Sequence, residues 1–454
     1  MNENEINQMP EEEVLQPEVE APVEQAEEET VQPEKKQKGD RRSPMEIIIA
    51  VTAVVLIVAM MAAMIMGGLN GDTTQLDNTA ATVPADGNLT DATCKGTYTV
   101  SDEEAKTQSA TVVATIGDKA LTNADLQIYY WMQVNSFLNE YGSYASVFGL
   151  DYTQPLDTQA CMLAEGMTWQ QYFLAGALES WTSYESLALE AIAAEFDKKS
   201  EDYQTYAASV REQIRAEAES LGYASMEEAI ADIVGVGTTE DAYVNYMQTS
   251  YLGYLYYSTL ASQRLPATDA QIEAYFEENA AEYAESGLTK ETGKYIDIRH
   301  ILVMPEGGTT GEDGTTTYSE EEWETARVEA QDILDQWLAG DATEEEFAEL
   351  ANSYSDDSDG TDGGLYTDVY QGQMVEEFDA WCFDESRVVG DYGLVKTQYG
   401  YHVMYFSGST PIWYATAKSD LETEISNNII PEITEKYEIS MDYTKMALSL
   451  VELS

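Results

Sequence analysis

The sequence predicts an α+β protein, mostly helical, with one short-stranded domain towards its C-terminal end and one transmembrane helix near its N-terminus. Three observations predict this. Long apolar patterns of helical period, opened by cap signals, run from about residue 122 to 265. Near residue 290 the texture changes to short strands that flank two capped helices, a βααβ-like order. An uncharged apolar run over 47–66 precedes both and has the length of a bilayer-spanning helix.

The elements follow in order. Residues 1–44 are rich in Glu, Gln and Pro, lack aliphatic periodicity, and read as a disordered tail. Lys35, Lys36, Lys38, Arg41 and Arg42 then cluster just before the apolar run. The positive-inside rule puts the tail in the cytoplasm and residues 68–454 outside. The acidic 44-residue leader and the length of the run favour an uncleaved signal anchor over 45–67 rather than a cleaved signal peptide. No cysteine of lipoprotein type directly follows the run, since Cys94 lies far downstream. Residues 68–110, rich in Gly, Thr, Asp and Asn, read as a linker.

Order is predicted to begin near Val112. VVATIGDKALTNADL reads as strand, Gly-Asp turn, strand, and a helix opening at Thr122. A helix runs over 168–196. Ser225 with Glu228 makes a capping box after Gly222, and the helical region closes near 265. Thr268 with Gln271 opens one connecting helix, DAQIEAYFEENAAEYA, within 266–293. A strand over 295–303 and a Gly/Thr loop over 305–318 follow. Ser319 with Glu322 caps a helix with Trp323, Ala326, Ala330, Ile333, Trp337 and Leu338 on its apolar face, and Gly340 ends it. Thr343 with Glu346 caps a shorter helix. A Ser/Asp/Gly loop, a segment around 378–383 and a strand over 401–406 complete the domain. Residues 411–454 return to helix and a short strand.

Composition excludes some functions. The chain carries 84 acidic and 22 basic residues, net −62. Nothing is available to neutralise phosphates, so nucleic acid is excluded as a partner. The charge implies a solvated acidic surface with weak attraction for basic, partly unfolded chains. Three widely spaced cysteines and two histidines offer no disulfide framework and no metal-ligand spacing, and no cofactor is indicated.

The two histidines are the chemically informative residues. Strand alternation puts His300 on a face with Ile296, Ile298 and Leu302, and His402 with Met404 and Phe406. A buried imidazole needs a hydrogen-bond partner, and each could serve the other. Two separately satisfied core histidines without a chemical role remain the alternative.

RHILV, EEEFAELANSYSDDSDG, GQMVEEFDAWCF and KTQYGYHVMYF, in this order and spacing, resemble the parvulin (PpiC-type) peptidyl-prolyl isomerase domain over residues 294–408. The resemblance implies a small antiparallel sheet with surrounding helices. It makes His300, His402, Asp357 and Thr397 the catalytic candidates. Met374, Phe378, Tyr399 and Gln373 become the candidates for lining the proline pocket. The chain departs from the family in reading GGLYTDV where relatives read GGDLG, in carrying Cys382, and in the length of 305–318. More loosely, residues 111–265 resemble the helical chaperone module of PrsA- and SurA-type foldases. That likeness implies completion of the module by 411–454 around an inserted isomerase domain.

The function implied is that of a membrane-anchored extracytoplasmic foldase acting on unfolded or newly translocated proteins. A holdase that uses a weak or inactive isomerase domain for client binding is the second reading. A structural envelope protein is the third.

Overall fold

The computed structural model describes residues 97–311, 314–357 and 362–451. The tail over 1–44, the signal anchor over 45–67, most of the linker and Cys94 lie outside the described residues. Among the described residues, no helix is long and apolar enough to cross a membrane.

Order starts earlier than the linker reading allowed. Tyr98 is buried, Thr99–Val100 form β1, and Asp102–Gln108 form α1, capped by Ser101. β1 pairs in parallel with Leu448–Ser449, at the other end of the chain. A two-residue strand has no local periodicity to read, and its partner is remote.

β2 (Val112–Ile116) and β3 (Lys119–Thr122) form the hairpin around Gly117. Thr122 then closes a capping box with Asp125 and opens α2 (Asn123–Tyr141). α3 (Trp169–Ala193) opens with the Thr168–Gln171 box. α4 (Glu201–Ser220), α5 (Met226–Val234) and α6 (Glu240–Arg264) complete the helical half. Ser225 caps α5, but the Glu228 carboxylate accepts from the Ala224 N–H, so the predicted box is only half formed. The core between these helices holds Trp169, Trp181, Tyr130, Leu126 and Leu174, all nearly inaccessible.

The single connecting helix is two: α7 (Asp269–Glu278) and α8 (Ala280–Glu285). Between them the Asn279 side-chain amide donates to the Tyr275 carbonyl at 2.9 Å. The Asn279 N–H donates to the same carbonyl at 3.1 Å, so one carbonyl closes the end of α7 with both.

β4 (Lys294–Val303) begins the second half. The predicted Gly/Thr loop carries a small hairpin, β5 (Thr309–Thr310) with β6 (Thr316–Thr317). Then come α9 (Glu320–Ala339), α10 (Glu344–Tyr354), β7 (Leu365–Val369), α11 (Glu376–Cys382), β8 (Tyr392–Lys396) and β9 (Tyr401–Pro411). The sheet order is β7-β4-β9-β8, antiparallel throughout. Two of its strands, β7 and β8, were absent from the sequence reading. α9 and α10 cover one face, packing Ala330, Trp337 and Phe347 on Ile301, Val403 and Tyr405. α11 covers the other, packing Phe378 and Cys382 on Ile298, Met404 and Phe406.

α12 (Ile412–Thr434) returns to the helical half, where Ile429 and Ile433 meet Leu187. β10 (Ile439–Met441) extends the β2–β3 hairpin, and β11 (Leu448–Ser449) is the partner of β1. Asn123, at the start of α2, accepts from the Ala447 N–H and donates to the Lys445 carbonyl.

Candidate active site

β4 and β9 run antiparallel, with Leu302 opposite His402 and His300 opposite Met404. His300 and His402 are therefore diagonal neighbours on the α11 face. Their Nδ1 atoms lie 3.1 Å apart, and both rings are nearly inaccessible. The paired arrangement is the one formed.

Each end of the pair meets an oxygen. His402 Nε2 lies 2.9 Å from Thr397 Oγ1, in the turn between β8 and β9. His300 Nε2 lies 3.3 Å from Asp357 Oδ2, on the segment after α10. Three hydrogen bonds to the backbone of Leu302 and Met304 fix that segment on the end of β4. Ser355 Oγ accepts from the Leu302 N–H, the Asp356 N–H donates to the Leu302 carbonyl, and Asp356 Oδ2 accepts from the Met304 N–H.

Proton positions follow from these contacts. The Asp357 carboxylate favours a proton on the facing His300 Nε2, which leaves Nδ1 as acceptor. His402 must then donate from Nδ1 and accept at Nε2, and Thr397 supplies the hydroxyl proton. The Tyr399 N–H donates in turn to Thr397 Oγ1 at 3.1 Å. Every bond in the string points the same way, towards the carboxylate. This requires both imidazoles to be neutral. Burial lowers the His300 pKa to about 4 and the His402 pKa to about 3, against the opposing pull of Asp357.

The Phe378 ring stands nearly perpendicular to both imidazoles, its centroid 5.2 Å from that of His300 and 5.3 Å from that of His402. Met374 packs against the same apolar cluster. Two predicted pocket residues stand apart from this cluster. The Gln373 side chain is exposed and accepts from the Tyr370 N–H, closing a turn. The Tyr399 ring is more than half exposed and joins the string only through its backbone.

Two features escaped the sequence reading. Gly364 has φ +68° and accepts from the His300 N–H, and a Cβ there would lie 2.2 Å from the His300 carbonyl oxygen. Only glycine lets the backbone come so close. Tyr366, two residues on, reaches the site from β7; the departure from the family pattern was its only sign in the sequence. Among the described residues, no group of three His, Cys, Asp or Glu side chains is placed to hold a metal ion.

Residues 300–408 match the family model for the rotamase, PPIC-type PPIASE domain. A curated relative, the foldase protein PrsA of Caldanaerobacter subterraneus subsp. tengcongensis, is 30% identical over 174 residues, covering 38% of this chain and 45% of the relative. This chain thus spans less than half the length of that relative. Among solved structures, PrsA from Bacillus subtilis aligns over 60% of this chain and 87% of its own, with 21% identity and a TM-score of 0.24. A structure described among SurA-like chaperones of Campylobacter jejuni aligns over 72% and 94%, with 17% identity and a TM-score of 0.21.

The histidine pair, its sheet and the family match make residues 300–408 a PPIase domain of the PPIC type. The protein that carries this domain is similar to the foldase PrsA.

Proposed function

We propose that this chain is a membrane-anchored extracytoplasmic foldase that speeds cis–trans exchange at X-Pro bonds and holds unfolded clients on its helical half. The observation that carries the reading is the string Asp357–His300–His402–Thr397 set against Phe378.

Rotation about an X-Pro bond is opposed by amide resonance, with a barrier of about 18–20 kcal/mol. No covalent step is required. Met374 and Phe378 hold the pyrrolidine ring, while an apolar slot disfavours the charge-separated resonance form of the amide. The neutral imidazoles keep the slot uncharged and fix the dipoles that meet the twisting carbonyl. Asp357 and Thr397 hold the two tautomers. Anchoring through 45–67 and extracytoplasmic placement of the rest are supported by the apolar run and the basic cluster before it. Clients are unfolded or newly translocated proteins.

Exchange NMR of an Ala-Pro tetrapeptide with the full chain in detergent tests the enzyme, with His300→Ala as control. The reading predicts faster exchange with wild type and a large loss in the variant. If wild type leaves the uncatalysed rate unchanged, the enzyme reading fails. The holdase alternative draws on the departure GGLYTDV from the family's GGDLG. It predicts suppressed aggregation of an unfolded client that His300→Ala leaves intact.

A further inference from the structure

The segment that departs from the family pattern is built into the site. Tyr366 lies on β7 opposite Ile298. Its ring packs with Met374 and Phe378 on one apolar cluster and lies 5.0 Å from the His300 ring. Its hydroxyl donates to Asp357 Oδ2 at 3.0 Å, the same oxygen that faces His300 Nε2. The strand that carries it is fixed two residues earlier, where His300 and Gly364 share a backbone bond. Arg299 clamps the preceding turn by donating to the Asp362 and Gly363 carbonyls.

We propose that Tyr366 is a positioning residue of the proline-isomerising site: its hydroxyl holds the Asp357 carboxylate in the orientation that fixes the His300 tautomer. The inference rests on the isomerase reading for its kinetic consequence and on geometry alone for its structural one. Asp357 sits outside any helix or strand, its N–H donating to Ser355 Oγ, and its carboxylate meets both the Tyr366 hydroxyl and His300 Nε2. A phenol proton supplies a charge-assisted bond that selects one rotamer. With the carboxylate released, the proton on His300 exchanges between its two nitrogens and the string loses its single direction. The hydroxyl therefore acts on the rate through Asp357 and not by touching the proline ring.

Tyr366→Phe removes the hydroxyl and keeps the ring; Tyr366→Leu removes both. In the full chain, Tyr366→Phe should lower kcat about ten- to a hundredfold, the scale of one charge-assisted bond, with KM little changed. Tyr366→Leu should lose about as much, and neither should lose further in an Asp357→Ala background. Imidazole 15N spectra give a second readout, uncrowded because the chain has two histidines. Tyr366→Phe should move the His300 Nε2 signal from the protonated position towards the tautomer-averaged one. Unchanged kcat and unchanged imidazole signals in Tyr366→Phe would overturn the proposal. So would a loss confined to Tyr366→Leu, which marks ring packing. If wild type catalyses no exchange, the isomerase reading fails, and the nitrogen spectra alone still decide whether Tyr366 fixes His300.

Discussion

At the scale of single residues, the fold sets two imidazoles side by side where water scarcely reaches them. In the unfolded chain each titrates near 6.5; in the fold burial lowers them to about 4 and about 3. Between these values the unfolded state binds more protons, so stability rises with pH across that window. Their contribution is complete above about 6.5 and is lost as pH falls through about 4 for His300 and about 3 for His402. Proton NMR of the two C2–H signals should show no inflection between pH 5.5 and 8, a range chosen to bracket the unfolded value. A midpoint near 6.5 for either would contradict the buried, neutral pair. Gly364 makes a second prediction. Alanine there would meet the His300 carbonyl and adopt a disfavoured φ, so Gly364→Ala should cost more than about 2 kcal/mol in urea unfolding.

At the scale of elements, what was legible depended on whether the signal was local. The caps read at Ser319 and Thr343 stand beside the helices they open, and each accepts a first-turn backbone N–H, as Thr122 and Thr168 also do. Ser319→Ala should therefore cost about 1 kcal/mol, visible as a lower urea midpoint at constant slope. A neutral result would mean that α9 is held by Trp337 and its neighbours alone. The strands β7 and β8 were illegible for the opposite reason. LYTDV and YGLVK have little alternation of their own and become strands because β4 and β9 offer them edges. The site divides the same way. Both histidines, Thr397 and Phe378 could be read from strand parity and resemblance. The bond from Tyr366 to Asp357 crosses between elements, and its only trace in the sequence is the departure from the family pattern.

At the scale of the whole molecule, the helical half depends on the C-terminal segment that closes its two small sheets. Asn123 is fully buried and bonded to the backbone at 445 and 447. Asn123→Leu should destabilise this half by about 1–3 kcal/mol, because it strands the buried Ala447 N–H and removes the donor to the part-buried Lys445 and Gln108 carbonyls. Calorimetry should place the loss in the transition of the helical half and leave the C2–H signals of the two histidines unmoved. A shift of those signals would show that the halves melt as one.

The crossing between the halves has its own consequence. β4 starts at Lys294 opposite Pro411 of β9, and the Ile412 N–H donates to the Gly293 carbonyl at 3.1 Å. Way in and way out are thus stitched side by side. A splice that joins 293 to 412 through a few glycines spans almost no distance, and closing so short a gap costs little entropy. The headpiece can be cut away or exchanged for another at that seam, as a tool is changed on a fixed handle, without the handle having to learn a new fold.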